Sequence, residues 1–81
     1  MNYDAISLES LKPGERGRVQ ELKLSGPARR RLQDIGLVEN ASVRCLFKSP
    51  AGDPRAYLIK GAVMALRREI CTQVLISKEA D

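Results

Sequence analysis

The sequence contains no histidine and no tryptophan, and its aromatic side chains are limited to one phenylalanine and two tyrosines. Without histidine, neither a Ser-His nor a Cys-His nucleophilic pair can form. The two cysteines, Cys45 and Cys71, lie far apart in sequence and form no CxxC motif, so a zinc site of the ordinary type is not expected. From these absences we expect a protein that is not an enzyme and holds no cofactor.

Long apolar runs are absent as well. The longest uncharged apolar run is AVMAL, residues 62–66, which is far too short to cross a bilayer. The first residues, MNYDAISLESLKPGE, contain acidic side chains and no apolar stretch of signal-peptide length. The sequence therefore predicts a cytoplasmic protein without direct insertion into a membrane.

The composition is that of a small globular domain. Of the 81 residues, 43% are hydrophobic and 30% are charged, which predicts one domain, residues 1–81, with an aliphatic core. The net charge of +4 permits an anionic partner but does not identify one.

Short apolar segments separated by turn residues indicate strands. The clearest is SVRCLFK, residues 42–48, in which Val43, Cys45 and Phe47 share the face that we expect to point inward. Further strands are predicted at residues 18–24, 55–60, 63–67 and 74–77, with a short helix over 68–73 and one helical turn that carries Leu8 and Leu11 inward. About five short strands favour a small barrel or roll, because closure protects strand edges.

One longer helix is predicted in ARRRLQDIGL, residues 28–37. Pro27 suits its first position, Gly26 or Ser25 can cap it, and Gly36 suits the left-handed residue that ends it. Helical spacing places Ala28, Leu32 and Ile35 on one apolar stripe that packs on the barrel.

The same spacing spreads the three consecutive arginines over an arc of about 200°, so they cannot form a flat clamp on a duplex. Three interpretations stay open: a solvated helix face with a weak Arg30 to Asp34 pair, a protein-binding surface, or a nucleic-acid site. The candidate partner-binding residues are Arg29, Arg30, Arg31, Asp34, Asp53 and Arg55.

The chain resembles the ferrous-iron transport protein A family, also written FeoA, nearly end to end. The resemblance lies in the ordered segments SLESLKPGERGRV, RRRLQDIGL, VRCLFKSPAGDPRAYLIKG and MALRREICTQVLI. These follow the family's succession of Leu-x-Pro-Gly, Arg-Arg-Leu-x-Asp-x-Gly-Leu, Gly-Asp-Pro and Ala-Leu-Arg-Arg. Asn40 stands where glycine is usual, but asparagine also tolerates the left-handed conformation of a turn.

The resemblance implies a mainly β fold, an SH3-like barrel with an inserted helix and a short second helix. It also implies a small cytoplasmic accessory protein of ferrous iron uptake. The implied partner is ferrous iron transport protein B, a membrane transporter with a GTPase domain. Two other hypotheses remain: nucleic-acid binding by a small basic barrel, and iron binding through carboxylates such as Asp53 and Glu69.

Overall fold

The computed structural model describes residues 5–79, so the predicted domain limits at 1 and 81 lie outside the described part of the chain. The strands are β1 (Ile6–Ser7), β2 (Arg16–Leu22), β3 (Ser42–Lys48), β4 (Arg55–Ile59), β5 (Ala62–Leu66) and β6 (Val74–Glu79). The helices are α1 (Gly26–Asp34), α2 (Arg68–Cys71) and a 3-10 turn at Leu8–Ser10. Between residues 5 and 79, no helix is long and apolar enough to span a bilayer.

The strands form one antiparallel sheet in the order β1-β6-β2-β3-β4-β5, which confirms the predicted mainly β fold. The count is six rather than about five because β1 pairs with β6 over only two residues, Ile6 with Ile76 and Ser7 with Leu75. A strand this short shows no alternating pattern in the sequence. In residues 5–79 the sheet ends at β1 and β5, which are not hydrogen-bonded to each other, so the barrel is open.

The core is aliphatic around one aromatic side chain, Tyr57, which is completely buried. Leu8 and Leu11 are also completely buried, as the predicted helical turn requires. Cys45 and Cys71 are free thiols inside this core. The sheet therefore surrounds its own apolar face and leaves the other face to solvent.

Strand β3 changes face near its end, and this corrects one prediction. Val43 and Cys45 point into the core, but the pairing of β3 with β4 shifts register between Cys45 and Phe47. A bulge adds one residue to a strand and moves every later side chain to the opposite face. Phe47 is consequently 59% exposed, and the prediction that it points inward is wrong.

The turns use residues that accept positive φ angles. Lys60 and Gly61, with φ of 50° and 78°, join β4 to β5 in a two-residue hairpin that pairs Ile59 with Ala62. Positive φ at both central residues is the type I′ arrangement, whose twist matches that of the strands. Asn40 has a φ of 72°, which confirms the expectation that asparagine replaces glycine in this turn.

Candidate functional site

Helix α1 is anchored to the barrel by its last turn. The Leu37 N–H donates to the Leu32 carbonyl at 2.9 Å, and the Gly36 N–H donates to the Gln33 carbonyl at 3.0 Å. These two bonds form a Schellman cap, with Gly36 at a φ of 106° as the left-handed residue. Leu32 and Leu37 are both buried, so the end of the helix is fixed in place as the sequence predicts.

The first two turns of α1 stand clear of the barrel, because residues 25 to 31 are all exposed. The predicted apolar stripe is therefore correct only in its second half. Leu32 is buried and Ile35 is partly buried, but Ala28 is exposed and its assignment as a packing residue is wrong.

The exposed charged side chains of α1, here called the α1 surface, are Arg29, Arg30, Arg31 and Asp34. None of its arginines forms an ion pair with another residue in the range 5–79. The Arg30 to Asp34 pair of the first interpretation is therefore not formed in the structure. A shallow depression of about 520 Å³ lies beside these side chains and is lined by Arg29, Arg30 and Gln33 with the start of the helix. The surface presents positive charge that the described residues do not neutralise.

Arg55, a predicted partner-binding residue, has a structural position instead. Only 5% of it is exposed. Its Nε donates to the Gly52 carbonyl at 2.9 Å, and its Nη1 donates to the Glu9 carbonyl at 3.0 Å. Nη1 also lies 3.3 Å from the Glu9 carboxylate. Arg55 thus ties the β3–β4 loop to the 3-10 turn, and little of its side chain is exposed.

Asp53 is exposed but already bound within the chain. Its Oδ1 accepts a hydrogen bond of 2.9 Å from the Arg68 backbone N–H at the start of α2. Glu69 lies in the same short helix. Among residues 5–79, no three Cys, Asp or Glu side chains come together in a group that could hold a metal ion. The predicted set therefore divides between the α1 surface and a loop cluster formed by Glu9, Asp53, Arg55 and Arg68.

Burial makes the two thiols poor reagents. It raises the pKa of Cys45 and of Cys71 above the ordinary thiol value, although a hydrogen bond with Tyr57 lowers the pKa of Cys71 in part. Burial also raises the pKa of the Tyr57 phenol, and the hydrogen bond with Cys71 adds to this shift. The Tyr57 hydroxyl donates to the Leu8 carbonyl at 3.3 Å. Since the thiolate is the nucleophile and the metal ligand, protonated buried thiols serve packing.

The single antiparallel sheet curls around its core without full closure, and one helix is inserted between β2 and β3. This arrangement defines a small SH3-like domain. The FeoA domain model matches residues 6–78. The chain therefore belongs to the FeoA domain family, which is associated with ferrous iron transport. This confirms the resemblance seen in the sequence and the SH3-like fold that it implied.

Solved structures agree with this assignment. FeoA protein from Chlorobium tepidum is 32% identical over 93% of this chain and 71% of its own, with a TM-score of 0.88. FeoA from Stenotrophomonas maltophilia is 27% identical over 91% of this chain and 95% of its own, with a TM-score of 0.75. That protein was solved with zinc and is described as an SH3 domain protein and a candidate activating factor of bacterial ferrous iron transport.

A manganese-dependent transcriptional repressor is similar in fold alone. It is 18% identical over 96% of this chain but only 43% of its own, with a TM-score of 0.85. A search of the curated proteins finds no match.

Proposed function

We propose that this chain is a small cytoplasmic accessory protein of ferrous iron uptake that binds the cytoplasmic part of ferrous iron transport protein B through its α1 surface. Membership of the FeoA family supports the pathway. The single observation that supports α1 as the binding surface is the cluster of exposed arginines, which have no acidic partner in the described chain. Arginine is enriched at protein interfaces and binds carboxylates through two parallel hydrogen bonds.

The geometry of α1 also determines the shape of a suitable partner. Adjacent helical positions are about 100° apart, so Arg29, Arg30 and Arg31 project to three sides of the helix. A flat acidic surface meets only one or two of them, whereas a cleft with carboxylates on both rims meets all three. The Schellman cap fixes the helix before binding, which reduces the conformational entropy lost in the complex.

Binding, rather than catalysis, is the proposed activity. The family is one of small SH3-like domains and is not a known enzyme family. The buried thiols are protonated, and the exposed acid Asp53 is occupied by a backbone N–H. Any effect on transport would then act through a contact with the transporter.

Charge reversal on α1 tests this proposal. We expect the double substitution Arg30→Glu with Arg31→Glu to weaken binding to the purified soluble part of the transporter by roughly tenfold or more, because two attractive contacts become repulsive. Calorimetry or surface plasmon resonance measures the dissociation constant.

The matched control is Lys12→Glu with Arg67→Glu, which changes the net charge equally at two exposed positions outside α1. It should bind almost as tightly as the unmodified chain. Equal weakening by both pairs, or no weakening by the α1 pair, would contradict the assignment of this surface.

Nucleic-acid binding is the alternative function, and the exposed Phe47 favours it more than the sequence suggested. Stacking of several bases needs several exposed aromatics, however, and Tyr57 is completely buried. Phosphate binding weakens steeply as salt rises. A gel shift with single-stranded RNA or DNA at low salt distinguishes the two, since our proposal predicts no shift.

A further inference from the structure

The large apolar side chains that are exposed in the described part of the chain lie on the outer face of β3, β4 and β5. Phe47, Leu58 and Val63 are the large apolar residues exposed between positions 5 and 79, at 59%, 36% and 63%. Exposed apolar residues usually lie scattered, and a contiguous group marks an interaction site. We call these three residues the sheet patch.

The strand register places the sheet patch on one face. Leu58 lies directly opposite Val63 of β5, and it also lies opposite Arg44 of β3. Opposed residues of antiparallel strands project to the same side. Phe47 lies opposite Ala56, which is two residues from Leu58 on β4 and therefore shares its face. The patch extends to the edge of the sheet, because β5 is the terminal strand and contains no charged residue.

Positive charge borders this patch. A groove of about 410 Å³ is lined by Leu58 and by the cationic side chains of Arg16, Arg44 and Lys60, together with Ala41, Ser42 and Gly61, and no acidic side chain lines it. Neither Arg44 nor Lys60 forms an ion pair within residues 5–79. The Lys60 stem lies close to Gly36, where a Cβ atom would come within 3.0 Å of the Lys60 Cδ. The groove therefore places the cationic side chains of Arg44 and Lys60 and the hydroxyl of Ser42 beside the apolar side chain of Leu58.

We propose that the sheet patch and its groove bind an extended acidic polypeptide segment of another protein. Apolar side chains of the segment cover Phe47, Leu58 and Val63, and its carboxylates bind Arg44 and Lys60. Charge complementarity favours this occupant, because cations that have no ion-pair partner in residues 5–79 lie beside exposed apolar side chains and suit a ligand in which acidic and apolar groups alternate. This inference goes beyond the proposed function, because the sheet patch includes no residue of α1.

Two other occupants fit the same face less well. A second copy of this chain carries a net charge of +4 and presents its own Arg44 and Lys60 there, so the cations of the two copies repel each other. Single-stranded RNA requires stacking surfaces, and the patch has one aromatic ring beside the aliphatic Leu58 and Val63. The test below distinguishes a second copy and RNA from an acidic peptide.

The test is selection from a phage library of random linear peptides on the full chain. We expect enriched peptides that combine Asp or Glu with Leu, Ile, Val or Phe. A synthetic peptide of the enriched sequence should lose roughly tenfold in affinity with Arg44→Glu and similarly with Val63→Ser. The α1 variant Arg30→Glu is the matched control and should retain binding, which separates this result from the outcome for the transporter.

Circular dichroism and thermal unfolding establish that each variant is folded, which matters most for Arg44→Glu because Arg44 is partly buried whereas Val63 is 63% exposed. The proposal is overturned if no acidic peptide is enriched, or if the enriched peptides bind the Arg44→Glu and Val63→Ser variants unchanged. It is also overturned if oligouridine binds this face more tightly than the peptide does, or if sedimentation shows a dimer that Val63→Ser dissociates.

Discussion

Replacing Arg55 with methionine is expected to lower the free energy of unfolding by about 3 kcal/mol. Methionine retains much of the buried aliphatic stem but removes the charge and every donor. The Gly52 and Glu9 carbonyls, which are partly buried, then lose their guanidinium partners, and each acceptor left without a hydrogen bond costs up to about 1–3 kcal/mol. The Glu9 side chain is 25% exposed, so water compensates part of the lost ion pair.

The matched control for this prediction is Arg68→Met. Arg68 also contacts the Glu9 carboxylate, at 3.5 Å, but its side chain is 64% exposed. An exposed pair contributes about 0–1 kcal/mol, so the control should unfold at nearly the same urea concentration as the unmodified chain. Urea unfolding with an unchanged slope measures both values. Equal losses in the two variants would show that Arg55 does not hold the loop cluster together.

Replacing Gly17 with alanine is expected to destabilise the fold by about 2 kcal/mol. Gly17 lies in β2, where an added Cβ atom would come within 2.9 Å of the Ser77 carbonyl oxygen and 2.6 Å of the Ile76 Cδ1. Overpacking costs about 1–3 kcal/mol, and the reduced entropy of the unfolded chain returns less than 1 kcal/mol. Thermal or urea unfolding measures the net loss.

Combining Gly17→Ala with Ile76→Val tests the cause of this loss. Valine lacks the Cδ1 atom that the new methyl group would meet, while the Ser77 carbonyl remains in place. The two substitutions should therefore cost less together than the sum of their separate costs, by about 1 kcal/mol. Simple additivity, or a Gly17→Ala variant as stable as the unmodified chain, would contradict the close approach of β2 and β6 at this point.

Local signals in the sequence predicted much of the fold. Pro27 and Gly36 mark the ends of α1 because their backbone preferences act within a few residues, and the structure retains both signals. Leu8 and Leu11 were placed correctly in the core for the same reason. The two-residue β1 was missed, since it exists only through its pairing with β6.

Phe47 is a residue for which the alternating pattern of apolar and polar side chains predicts the wrong face of the strand. Its place in SVRCLFK predicts an inward side chain, but the bulge after Cys45 depends on the partner strand and leaves no mark in the alternating pattern. The sheet patch therefore cannot be predicted from the sequence alone, because it depends on the register of β3, β4 and β5. Its cations, Arg44 and Lys60, are also separated in sequence and meet only across strands.

In the candidate site, the burial of Arg55 likewise depends on a contact between residues far apart in sequence. Its charge and its place beside a loop predict exposure, because arginine is rarely buried without a partner. The partner is Glu9, which lies 46 residues earlier in the chain and had no feature that linked the two. The α1 arginines, in contrast, were placed correctly on the surface because helical spacing alone determines where they point.

The most direct measurement of the central claim is an NMR titration of the isotope-labelled chain with the purified cytoplasmic part of ferrous iron transport protein B. Binding through the α1 surface predicts that backbone amide signals of residues 28–35 broaden or shift first, and that those of α2 and the β3–β4 loop stay in place. Perturbation centred on α2 and that loop, or a spectrum unchanged in a large excess of the partner, would contradict binding of the transporter by the α1 surface.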